Sequence, residues 1–89
     1  MRTNGQFILR KVADEYLLIP VGETAMAVKG LIALTESGAL LFEKMKTECT
    51  RAELLAVLKT EYEIDEQTAS ADLDAFLEKM RHLQILREE

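Results

Sequence analysis

The chain has almost none of the residues from which soft metal sites, disulfides and most nucleophilic centres are built. It contains one cysteine, Cys49, one histidine, His82, and no tryptophan. A single cysteine cannot form an intramolecular disulfide, and one cysteine with one histidine matches no zinc-site spacing. A nucleophilic Cys49 would also need a base held beside it, and His82 lies in a different predicted helix. We therefore expect no metal, no cofactor and no catalytic activity.

The sequence also lacks a long apolar run. No stretch approaches the ~18 apolar residues of a membrane-spanning helix, and charge returns at Arg10 and Lys11 before an apolar segment of signal-peptide length can form. A hydrophobic fraction of 48% with 30% charged residues is ordinary for a soluble globular protein. We expect one domain over residues 1–89 that is cytoplasmic and binds no membrane.

The stretch Lys29–Met45 is the most informative, because the hydrophobic period changes within it. Before Thr35 apolar residues occupy both faces of an extended segment, whereas after it they recur every three or four residues. The Thr35 side chain can accept a hydrogen bond from a first-turn amide, as helix N-caps do. The pattern predicts a strand that ends near Leu34 and a helix that begins near residue 36.

The rest of the chain extends this pattern in both directions. Two apolar runs, residues 6–12 and 16–21, are separated by a short turn and predict a β-hairpin, and a third run from about 26 to 34 predicts a third strand. The side chains expected to face the core on that strand are Met26, Val28, Gly30, Ile32 and Leu34. A capping box at Thr50–Glu53 predicts a second helix, and an apolar stripe that opens at Asp65, with Asp65 and Glu66 at its positive end, predicts a third. We expect an α+β, winged-helix-like fold, with a three-stranded antiparallel sheet over about 6–34 followed by a bundle of helices at about 36–46, 51–62 and 66–83.

The other face of the third predicted strand is also partly apolar. Leu31 and Ala33 lie on it and have no evident use in a core formed by the opposite face. A connecting segment could cover them as readily as a partner could, so periodicity alone leaves both interpretations open.

Helices with a small sheet raise DNA binding as a function, but the charge opposes it. Residues 65–84, which include the predicted helix that would enter the groove, have five acidic residues against two basic ones, a balance of −3, and the whole chain carries −5 at pH 7. Duplex binding depends on neutralising phosphates with lysine and arginine. We expect no nucleic-acid partner. A non-catalytic module that binds a peptide or a protein is favoured, with an acidic winged-helix protein–protein interaction or transcription-associated domain as the alternative.

Three spaced segments share the pattern of a known family: LTESG at 34–38, TRAEL at 50–54 and DLDAFL at 72–77. Together they resemble the PqqD family, the pyrroloquinoline quinone biosynthesis protein D group, also called RiPP recognition elements. Two residues depart from the family pattern. Thr35 replaces an asparagine and keeps the cap, whereas Gln84 replaces a glycine after the third helix, where a left-handed residue costs ~1 kcal/mol.

The resemblance implies a domain that binds the leader of a ribosomally synthesised precursor peptide and presents it to a modifying enzyme, of the radical SAM class. The leader would add to the third strand, in a groove against the third helix, which would give Leu31 and Ala33 a use. The implied peptide-binding residues are Val28, Lys29, Gly30, Leu31, Ile32, Ala33 and Leu34 on the strand and Asp72, Ala75, Phe76 and Lys79 on the helix. Phe76 has core spacing too and could serve both purposes. A monomer and a hairpin-swapped dimer both remain open.

Overall fold

The computed structural model describes residues 1–28 and 30–88, which form a three-stranded sheet, a two-stranded ribbon and a set of helices. In chain order the elements are β1 (Arg2–Thr3), β2 (Phe7–Val12), β3 (Glu15–Pro20), α1 (Thr24–Ala27), β4 (Ile32–Leu34), α2 (Glu36–Lys44), α3 (Arg51–Tyr62), α4 (Glu66–His82) and β5 (Leu86–Arg87). They divide into two compact units, a sheet unit over Gly5–Leu40 and a helical unit that joins Met1–Asn4 to the chain from Leu41 onward. The expectation of a single domain stays a prediction.

The sheet unit is an antiparallel meander in the order β2-β3-β4. A two-residue turn, with Ala13 at φ 58°, joins β2 to β3. The sheet buries one of its faces, on which Leu18 is fully buried and Leu34 is 8% exposed. The predicted α+β, winged-helix-like class, with a three-stranded antiparallel sheet followed by helices, is confirmed.

The third predicted strand is wrong over most of its length. Residues 24–27 form the short helix α1, and β4 begins only at Ile32. Thr-Ala-Met-Ala is rich in helix-forming residues, and the Val28 amide closes a helical turn by donating to the Thr24 carbonyl at 2.8 Å. Gly30 then has φ 89°, which interrupts extended backbone. Met26, expected in the core, is 80% exposed, and Lys29 lies outside the described residues.

The helical unit follows the predicted pattern closely. The three long helices lie within two residues of the predicted bounds at each end. In the capping box, the Thr50 hydroxyl accepts from the Glu53 amide at 3.1 Å, and the Glu53 carboxylate accepts from the Thr50 amide at 2.7 Å. Asp65 caps α4 by accepting from the Thr68 amide at 2.7 Å. These caps satisfy first-turn amides that would otherwise lack partners.

In the core of the helical unit α3 packs against α4, and residues of α2, of the segment after it and of the chain after α4 add further buried side chains. The buried side chains of this core include Leu41, Phe42, Met45, Leu54, Leu58, Ala69, Leu73, Phe76, Leu77, Met80 and Ile85. The ribbon of β1 and β5, which pairs Thr3 with Leu86, was not anticipated from the sequence. In the part of the chain that the structure describes, no helix is long and apolar enough to cross a membrane.

The end of α4 has the left-handed geometry that the family resemblance implied. Gln84 is left-handed at φ 61°. Its amide donates to the Arg81 carbonyl at 2.9 Å, and the Ile85 amide donates to the Met80 carbonyl at 2.9 Å. This pair of bonds is a Schellman motif, in which glycine is the preferred left-handed residue.

Candidate functional site

The strand β4 forms one edge of the sheet. Its three residues pair on one side with β3, Ile32 opposite Leu18 and Leu34 opposite Tyr16, and within residues 1–28 and 30–88 the sheet has no strand beyond it. In an antiparallel pair, alternate residues direct their N–H and C=O groups away from the partner strand. An edge strand therefore presents main-chain groups to which another chain can pair.

The other edge, β2, is less suited to strand pairing. It carries Arg10 and Lys11 in its second half, and charged residues, lysine above all, discourage pairing at a sheet edge. The Lys11 ammonium lies 5.6 Å from the centre of the Tyr16 ring, a cation–π contact within the hairpin. Of the two edges, β4 is the better candidate for an added strand.

The structure separates the strand residues proposed for peptide binding into two groups. Ile32, Ala33 and Leu34 lie in β4, whereas Val28, Gly30 and Leu31 precede it. Leu34 belongs to the buried face of the sheet. Leu31 is 59% exposed and Ala33 is also exposed, so the expectation that these two lie outside the core is confirmed. Their contact with a partner stays a prediction, as does that of Lys29.

The outer face of the sheet carries apolar residues that the sequence analysis did not single out. Ile8 is 42% exposed and Val12 52% exposed, while Leu17 and Ile19 are half-buried. Directly opposed residues share a face, and the register places Leu17 between Arg10 and Ala33. Period-two alternation in the predicted hairpin could have identified this face had the two strands been aligned in register.

On α4, the four proposed residues differ in exposure. Asp72, Ala75 and Lys79 are exposed, whereas Phe76 is 8% exposed and belongs to the core of the helical unit. Phe76 therefore has the core role that its spacing allowed. The expectation that these residues and the strand line one groove stays a prediction.

The lone thiol lies in an environment that disfavours reaction. Burial raises the pKa of Cys49 above its ordinary value, and the thiol donates to the Met1 carbonyl at 3.4 Å. A raised pKa lowers the thiolate fraction and with it the nucleophilicity. Cys49 also lines a cleft of about 230 Å³ together with Lys44, Thr47, Glu48, Glu53, Leu54 and Val57. Across residues 1–28 and 30–88, no three potential ligands among His, Cys, Asp and Glu are grouped to hold a metal.

Comparison with solved structures places this fold in a known class. The structure of TbiB1 in complex with the TbiA(beta) leader peptide matches with a TM-score of 0.74 and 18% sequence identity, covering 100% of this chain and 98% of that one. At that identity the likeness concerns the fold. No curated protein matches the chain.

The family follows from the sequence itself. The family model for coenzyme PQQ synthesis protein D (PqqD) matches residues 15–86. The chain therefore belongs to the PqqD family, and the resemblance carried by the three helix segments is confirmed. The matched residues run from the start of β3 to the start of β5 and so include β4.

Proposed function

We propose that this chain is a non-catalytic module that binds the leader of a ribosomally synthesised precursor peptide as an added strand on β4. The observation that carries the proposal is the position of β4 at a sheet edge, next to the exposed Leu31. Membership of the PqqD family and the fold shared with TbiB1, whose structure contains a leader peptide, support it. Strand addition draws affinity from main-chain hydrogen bonds and selectivity from alternate side chains.

The size of the edge limits the affinity that main-chain pairing can supply. β4 has three residues, and each net hydrogen bond contributes about 0.5–1.5 kcal/mol. A specific leader must therefore gain further affinity from side chains near the edge. Leu31 is such a side chain, because its exposed surface would leave water when a peptide covers it.

We propose that a second protein carries out the chemical modification of the precursor. The Cys49 thiol is disfavoured as a nucleophile, so the module would hold the leader while an enzyme, of the radical SAM class that the family resemblance implies, acts on the remainder of the peptide. The alternative of a transcription-associated domain is disfavoured by the −3 balance over residues 65–84.

Amide hydrogen exchange tests the proposed edge directly. The chain would be measured alone and with a synthetic peptide that has the sequence of a candidate leader. Added protection is expected at outward-facing amides of Ile32–Leu34, because a new strand would occupy them, and none is expected along Phe7–Val12. Protection that appears along Phe7–Val12 instead, or nowhere in the sheet, would contradict the proposal.

A further inference from the structure

A single row of side chains crosses the outer face of the sheet to the β4 edge. Arg10 lies opposite Leu17 in the hairpin, and Leu17 lies opposite Ala33 on the next strand. The three side chains share the face turned away from the buried Leu18, because neighbours along a strand alternate between faces. Leu17 is half-buried and Ala33 is exposed. The row is therefore charged at its far end and apolar towards β4.

The small size of Ala33 leaves Leu17 accessible from the edge. Neighbouring strands lie about 4.8 Å apart, so a residue on an added strand would be roughly 10 Å from Leu17, with the Ala33 methyl group between them. A long apolar side chain on the added strand can extend over Ala33 and contact Leu17. An alanine or serine is too short to do so, and a charged group would lose hydration beside apolar surface.

We infer that the bound peptide places a large apolar side chain opposite Ala33 on the outer face, and that Ala33 and Leu17 together select it. This inference rests on the proposed function and specifies the class of peptide that the β4 edge accepts. The selectivity comes from two features of one row: a small residue at the edge and a large apolar residue behind it. Arg10 is two strands from the edge, so apolar contact rather than charge sets the preference.

A selection experiment with a displayed library tests the inference. Random peptides of about 12 residues, long enough for one added strand, would be selected on the full chain and on two variants. The wild type is expected to enrich a large apolar residue at one position. Ala33→Lys should change that same position to aspartate or glutamate, because opposite charges pair across strands. Ala33→Leu should change it to glycine, alanine or serine, because the added side chain fills the space above residue 33.

A binding measurement and a matched control accompany the selection. Replacing the enriched apolar residue of a selected peptide by alanine should weaken its Kd for the wild type about tenfold. Val12→Lys adds the same charge on the same face at the other edge, and it should leave the enriched pattern unchanged. Circular dichroism would establish that the variants fold, which the exposure of Ala33 and Val12 favours.

The outcomes distinguish this inference from the function on which it rests. Peptides that protect the amides of Ile32–Leu34 from exchange, with a pattern that neither Ala33 variant alters, would overturn the selection by Ala33 and leave strand addition standing. Failure of the wild type to enrich any peptide, or enrichment of peptides that protect Phe7–Val12, would overturn both.

Discussion

Replacing Leu31 by aspartate is the most direct perturbation of the proposed binding edge. Leu31 lies directly before β4 and is 59% exposed. The space beside the preceding residue is also open, because a Cβ atom added to Gly30 would have no neighbour within 4 Å. Most of the leucine is therefore already in water, and Leu31→Asp should leave folding nearly intact. The substitution acts on binding because it exchanges apolar surface for a carboxylate at the place where the peptide is expected to lie.

The expected loss of affinity follows from two contributions. Fully burying a leucine side chain gains about 1.5–3 kcal/mol, so covering the 59% now exposed would gain about 1–2 kcal/mol, which the variant loses. Desolvation of an unpaired carboxylate adds to the cost. We expect a total of about 2–4 kcal/mol, which corresponds to roughly a 30- to 1,000-fold increase in Kd.

Fluorescence anisotropy with a labelled leader peptide would measure this increase. The control is Val12→Asp, which makes a comparable change at a side chain that is 52% exposed on the other edge strand, and it should bind as the wild type does. Circular dichroism of all three proteins would report folding. Equal affinity in equally folded wild type and Leu31→Asp would reject the β4 site, and an unfolded Leu31→Asp would show that Leu31 belongs to the core.

Two further predictions concern stability. Gln84→Gly should raise the free energy of unfolding by about 1 kcal/mol, because Gln84 occupies a left-handed position at φ 61°; a urea midpoint that falls would contradict this account. The hydrogen bond from the Thr68 amide holds the pKa of Asp65 below its ordinary value. Because the folded-state pKa is the lower one, the stability it contributes is present above the ordinary aspartate pKa and is lost as pH falls through the folded-state value. The free energy of unfolding in urea should therefore change less with pH in Asp65→Asn than in the wild type between about pH 2 and 6. Identical pH profiles of the two proteins would count against the cap.

The sequence by itself determined the three long helices, their caps and the family. These features are local: Thr50 and Glu53 satisfy each other's amides three residues apart, and the buried side of α4 follows a period of 3.6 residues. The left-handed position at Gln84 was indicated by the family resemblance, because the family has a glycine there and glycine is the preferred left-handed residue at a helix end.

The tertiary structure alone decided where the third strand begins. Alternation from Met26 to Leu34 fits a strand, but a strand is stabilised by pairing. Among the described residues of this segment, only Ile32–Leu34 pair with β3. Thr24–Ala27 instead form α1, and the Thr24 hydroxyl accepts a hydrogen bond from the Gln6 amide at 2.7 Å. That bond joins residues distant in sequence, so no local pattern reveals it.

The same holds for the ribbon and for the outer face of the sheet. β1 and β5 have two residues each, too few for a periodic signal, and they pair because the fold brings the two ends of the described chain together. Likewise the row from Arg10 through Leu17 to Ala33 exists only once the register of three strands is fixed. The sequence supplied these side chains, and strand pairing, which depends on contacts between distant residues, placed them side by side.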